Sequence, residues 1–128
     1  MSALSDYAEV KVLDHILGTT AYTHPSTVYL GLAATSFLDA GSGTELSGSA
    51  YARQSMAFAG ASSGSAATNA TITFPTATGS WGTVSHWGIF DASTSGNLLV
   101  HGAFSASKAI KTGDILRVNS GDLTVTAA

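Results

Sequence analysis

Residues 79–91 read GSWGTVSHWGIFD. The stretch holds both tryptophans of the chain, a histidine between them and an aspartate at its end. Trp81, Thr83, Ser85, Trp87 and Ile89 share one parity, and Val84, His86, Gly88 and Phe90 take the other. A period of two is that of a β-strand, whose successive side chains point to opposite faces. The run is followed by the turn-rich loop DASTSGN (91–97) and then by LLVHGAFSA (98–106). There Leu98, Val100, Gly102 and Phe104 alternate with Leu99, His101 and Ala103. Two alternating runs around such a loop predict an antiparallel hairpin closed by Asp91–Asn97.

The same period recurs on both sides. STVYLGLAA (26–34) places Val28, Leu30 and Leu32 on one face, and AYARQSMAFAG (50–60) reads as a further strand. TITFP (71–75) puts Ile72 and Phe74 together and is closed by Pro75. DILRVNSGDLTVTA (114–127) holds two short alternating segments around a Ser120-Gly121 turn. DAGSGTELSGS (39–49) and ASSGSAATNA (61–70) read as loops by their Gly, Ser and Asn content. Only residues 5–17, SDYAEVKVLDHIL, follow the helical period, with Tyr7, Val10, Leu13, Ile16 and Leu17 near one face. Ser5 is placed to cap this helix, Asp6 and Glu9 suit its first turn, and Gly18 can end it. About seven short strands and one helix predict a mainly β fold: an antiparallel β-sandwich or small barrel (27–126) with an N-terminal α-helix, forming a single domain over 1–128. No helix-length segments separate the strands, which disfavours a parallel α/β fold.

Composition narrows the function. The chain has 128 residues, no cysteine and a net charge of −3, with only 10% of residues charged. Disulfide and thiolate chemistry are excluded. The five basic residues Lys11, Arg53, Lys108, Lys111 and Arg117 are scattered, so no phosphate-neutralising stripe for nucleic acid exists. No apolar run reaches the roughly 20 residues of a membrane span, and the first ten residues lack the features of a secretory signal. A soluble protein without nucleic-acid or membrane partners is expected. A surface this poor in charge is compatible with burial against other subunits.

Motifs that resemble chemistry do not survive their context. GASSG (60–64) matches the G-x-S-x-G of a nucleophile elbow, which requires a strand before it and a helix after it. The following SAATNA is no helix start. His86, Asp91 and a serine such as Ser62 could form a triad only through tertiary geometry. The histidines His15, His24, His86 and His101 form no local metal clamp; His86 and His101 fall on adjacent strands, but no third ligand stands near. NAT (69–71) matches an N-glycosylation site and matters only in a secreted eukaryotic chain. No residue is assigned a catalytic, cofactor-binding or metal-ligating role. Trp81 and Trp87 are expected in the core or at a subunit interface, since tryptophan is usually highly buried. The competing role for exposed aromatic residues is a stacking platform for sugars.

Four segments carry a family resemblance: LSDYAEVKVLDHILGTTAYTHPSTVYLGL (4–32), AGSGTELSGSAYARQSMAF (40–58), ITFPTATGSWGTVSHWGIFDASTSGNLLVHGAF (72–104) and IKTGDILRVNSGDLTVT (110–126). Together they resemble small tail-fibre proteins encoded among the virion genes of tailed bacteriophages, over nearly the whole chain. The resemblance implies a non-enzymatic structural component of the virion, made in the cytoplasm of the bacterial host and assembled with other virion proteins of the tail or capsid. A homo-oligomer, and a trimer in particular, is expected from the closed symmetry usual in such assemblies. Tyr51, Arg53, Trp81, His86 and Trp87 are the candidate interface or packing anchors. Two other functions compete: a capsid decoration (cement) protein that stabilises the head, and a host-receptor or carbohydrate-binding module using Trp81, Trp87, Tyr51 or Tyr29.

Overall fold

The computed structural model describes residues 2–127. The elements are β1 (Ser2–Leu4), α1 (Asp6–Ile16), β2 (Val28–Ala33), β3 (Gln54–Met56), β4 (Ser65–Ala67), β5 (Ile72–Thr73), β6 (Gly82–Phe90), β7 (Leu98–Ile110), β8 (Arg117–Val118) and β9 (Thr124–Thr126). Five strands form one antiparallel sheet in the order β1-β7-β6-β2-β3, and β4-β9 and β5-β8 form two separate antiparallel ribbons. None of these sheets closes on itself, so the protein is mainly β without the barrel form. Leu30 and Leu32 of β2, Trp87 and Ile89 of β6, Ile72 of β5 and Val118 of β8 share one main core. A smaller core of Ala33, Phe37, Phe90 and Leu98 lies apart from it.

The helix begins where its sequence directs. Ser5 is fully buried; its hydroxyl accepts from the Ala8 N–H and donates to the Leu98 carbonyl, while its own N–H reaches the Leu99 carbonyl at 2.9 Å. One residue thus caps α1 and ties it to the start of β7. Leu17 is the C-cap, and Gly18 at φ 81° turns the chain out of the helix. The side turned inward is that of Ala8. Val10, Leu13, Ile16 and Leu17 are 56%, 56%, 71% and 72% exposed, so most of the apolar face legible in the sequence points away from this chain's core.

The β6–β7 hairpin forms as expected, closed by Asp91, whose Oδ1 accepts from the Asn97 N–H at 2.7 Å and whose Oδ2 accepts from the Asn97 side-chain amide at 3.0 Å. Strict alternation does not hold within it. The register shifts between Val84 and His86: Val84 pairs with Lys108 but His86 pairs with Ala103. Val84 therefore joins Trp87 and Ile89 in the main core, although its parity predicts the opposite face. Thr83, of the same parity as Trp87, is exposed. Trp81 precedes the strand and reaches the main core because Gly82, at φ 79°, redirects the chain. A second shift between Ile89 and Phe90 separates Leu98, in the smaller core, from Val100, which packs on the main one. Bulges of this kind add residues to one strand and reset which face each later side chain takes.

Three further differences have local causes. β1 pairs with the edge of β7, a three-residue strand too short to show a period. The polar loop expected at 61–70 contains β4, which β9 recruits as a partner. The strand expected over 50–60 narrows to Gln54–Met56, because Gly48, Ser49 and Ala50 all hold positive φ (75°, 52° and 69°) and bend the chain ahead of it.

Candidate functional site

Tyr51, Arg53 and Trp81 converge, and the residue that joins Tyr51 to Arg53 is Glu45. β3 pairs with β2 only as far as Leu30. Beyond that point the Leu32 N–H is served by the Tyr51 hydroxyl, which accepts from it at 2.9 Å and donates to Glu45 Oε2 at 2.6 Å. Burial, reinforced by the hydrogen bond to Glu45, pushes the Tyr51 phenol far above its ordinary value of 10.0. Arg53 grips the same carboxylate in a fork, with Nε at 2.9 Å from Oε2 and Nη2 at 2.8 Å from Oε1. Its Nη1 donates to the carbonyls of Ala92 (2.9 Å) and Ser95 (2.7 Å), which fastens the β6–β7 turn to the 45–53 segment. The guanidinium also lies 3.6 Å from the centre of the Phe90 ring. The Arg53 and Glu45 side chains are only 8% and 23% exposed.

Above this brace the Tyr51 ring stacks on Phe74 and meets Trp81 edge-on, with centroids 6.2 Å and 5.5 Å apart. The Trp81 indole N–H donates to the Ser49 carbonyl at 2.9 Å and so holds the left-handed 48–50 segment. The arrangement is a structural lock with every strong donor engaged. It presents no free nucleophile and no acid or base open to a substrate. A glutamate two turns of loop away from Tyr51 carries no periodic signal; the one sign of it in the sequence is that ELSGSAYARQ begins with it.

Trp87 lies in the main core between Leu32 and Gly102, its pairing partners on β2 and β7. Trp81 and Trp87 are 7% and 5% exposed, so neither indole offers a face for stacking on a ligand. His86 stands apart from both. The Ser85 hydroxyl donates to the Ala34 carbonyl at 2.7 Å, which leaves His86 Nδ1 to donate to Ser85 Oγ, also at 2.7 Å. The serine proton is thus directed away from the imidazole, and the pair is not arranged as nucleophile and base. His86 and His101 share a face but sit diagonally, since His101 pairs with Gly88 and its Nε2 bonds Asp39 Oδ1 at 2.6 Å. Asp91 is occupied in the turn. Ser62 forms a reciprocal backbone pair with Ser65 across Ser63 and Gly64, both at positive φ, and β4 follows. That is a tight β-turn and not a strand-to-helix elbow. Among the described residues no three His, Asp or Glu side chains converge on a metal position, and no helix is long and apolar enough to cross a membrane.

What the structure leaves open is surface. The outward stripe of α1 carries four large apolar side chains. Beneath the helix, an apolar hollow of about 330 Å³ lies between Ala8, Val12, Pro25 and Leu99. A second hollow of about 150 Å³ opens where β6 and β7 change register.

Comparison with curated proteins finds no match. Comparison with family models finds one, described as podophage GP4 fiber I protein gp80, which matches residues 3–126 and so spans both cores, the Glu45–Tyr51–Arg53 lock and the N-terminal helix. The chain belongs to this family of phage fibre proteins.

Proposed function

We propose that this chain is a non-enzymatic structural module of a tail fibre, folded as one domain and built into the virion through contacts with other virion subunits and with further copies of itself. Family membership over residues 3–126 carries the reading. Two features of the molecule support it. The Glu45–Tyr51–Arg53 cluster is a closed hydrogen-bonded lock, and most of the large exposed apolar side chains collect on the N-terminal helix and its C-cap, with Leu38 and Ile115 exposed elsewhere. A closed ring of three copies is the oligomer we expect.

Quantitative protein gels of purified particles, combined with imaging of a labelled copy, test the location. A tail fibre module gives few copies per particle, all at the tail, and its removal leaves heads intact while adsorption fails. Hundreds of copies on the head would establish a capsid decoration protein in its place.

A further inference from the structure

A ring of more than two copies requires two different surfaces that fit each other, because only a twofold contact can use one surface against itself. This inference rests on the multi-copy reading above and names those two surfaces. The first is the outward face of α1. Val10, Leu13, Ile16 and Leu17 are exposed there, with Glu9 set among them and Asp14 at their border. Neither carboxylate has an ion-pair partner among the described residues. If two such helices met, Glu9 and Asp14 of one would face the same acids of the other, and like charges at an interface oppose association.

The second surface lies along the same β6–β7 pair, at the far end from the helix. α1 is tied to β7 at Leu98 and Leu99. Between the Phe90–Leu98 and Val84–Lys108 pairs, β6 advances six residues, about 20 Å. There the register shift leaves Phe104–Ser107 of β7 against the single residue Ser85 of β6. The displaced strand opens the hollow of about 150 Å³, floored by Val84, Leu116 and Val118 and walled by Phe104. An apolar cavity of that size holds a benzene-sized group. Lys108 and Arg117 flank it, both exposed and without a carboxylate partner among the described residues.

We propose that copies of this chain associate head to tail, with an apolar side chain of the α1 stripe of one copy seated in the β6–β7 hollow of the next. Glu9 and Asp14 then face Lys108 and Arg117. The acid-flanked apolar ridge and the base-flanked apolar hollow are complementary in shape and in charge, and both lie on one chain. The contact buries the apolar side chains that α1 leaves in water and neutralises four charges in a protein that carries few.

Charge reversal on each side, read by sedimentation velocity of the full chain at low salt, is the test. Glu9→Arg with Asp14→Arg makes both surfaces basic, and Lys108→Glu with Arg117→Glu makes both acidic. Glu9, Lys108 and Arg117 are exposed and Asp14 is half-buried, and unchanged circular dichroism and thermal midpoints establish that the variants fold. Each variant alone should need about tenfold or more higher concentration to associate. The chain that carries all four reversals should associate near the wild-type concentration, since every contact in a ring of it again pairs acid with base, whatever the number of copies. Wild type that associates while both variants associate equally well would overturn this contact and leave the multi-copy reading standing. Wild type that stays monomeric throughout would overturn both.

Discussion

Gly31 and Gly88 face each other across β2 and β6. A Cβ on Gly31 would stand 2.9 Å from both Glu45 Oε2 and the Phe90 ring, and one on Gly88 would stand 2.9 Å from Leu98 and 3.1 Å from Phe37. Two bare positions side by side let Glu45 and the Phe37–Phe90 pair, whose rings meet edge-on, approach the sheet closely. The small second core exists because of that close approach.

Gly31→Ala and Gly88→Ala should each destabilise the protein by about 1–3 kcal/mol, the usual cost of forcing a methyl group into a packed site. Gly31→Ala acts on a carboxylate already held by Tyr51 and Arg53, so it should also disturb the lock. Urea unfolding with unchanged slope and a lowered midpoint is the expected result. Wild-type midpoints in both variants would show that the neighbours yield freely.

Removing Arg53 leaves Glu45 without its cation and strips partners from the Ala92 and Ser95 carbonyls. Arg53→Ala should cost about 3 kcal/mol, as expected for breaking a largely buried pair from one side. Arg53→Lys keeps the charge but loses both the fork and the stack on Phe90, and should remain about 1 kcal/mol or more below wild type. Denaturation curves of the two variants check the order.

The Tyr51 phenol bears on behaviour in alkali. Its proton is held in the folded state well above the ordinary 10.0, by burial first and then by the bond to Glu45. An unfolded chain releases that proton near pH 10 while the folded one retains it, so stability is full below about pH 10 and falls as pH rises beyond it. Tyr51→Phe should flatten the fall, at the cost of a lower stability at neutral pH. Thermal midpoints followed across alkaline pH would contradict this assignment if both proteins declined in parallel.

Ala50 is exposed and sits at φ 69°, between Ser49 at 52° and a tyrosine fixed in the core. A β-carbon in the left-handed region costs about 1 kcal/mol, so Ala50→Gly should raise stability by up to that amount. Trp81→Phe tests the other support of the segment. It removes the indole N–H from the Ser49 carbonyl and should cost about 1–2 kcal/mol with cavity and hydrogen bond together. Calorimetry on the two variants should therefore give shifts of opposite sign.

Much of this architecture is legible residue by residue. Ser5, Asp6, Glu9 and Gly18 mark the helix because capping chemistry acts within one turn of chain. Leu30, Leu32, Ile72 and Phe74 announce their strands because burial on one face imposes a period of two. The Asp91–Asn97 turn reads directly, since its hydrogen bonds close within seven residues. Val84, Leu98 and Thr83 do not read correctly, because the irregularities that reset their faces depend on how β7 pairs with β6. Glu45 is illegible as a partner of Arg53 because the irregular loop between them carries no period, and β4 as a partner of β9 because the two are distant in sequence.

The amino-acid sequence by itself determined a mainly β chain with one capped helix, its principal hairpin and its place among phage fibre proteins. These rest on short-range periodicity, turn chemistry and family motifs, all of which are local in the chain. Only the tertiary structure decided what GSWGTVSHWGIFD does: Trp81 and Trp87 are core, His86 bonds to its neighbour Ser85, and the irregular register beside them opens a hollow. It also decided that the apolar face of α1 points outward. Helical period establishes that a face is apolar, but only the packing of Ser5 and Ala8 against the rest of the chain determines which way that face turns.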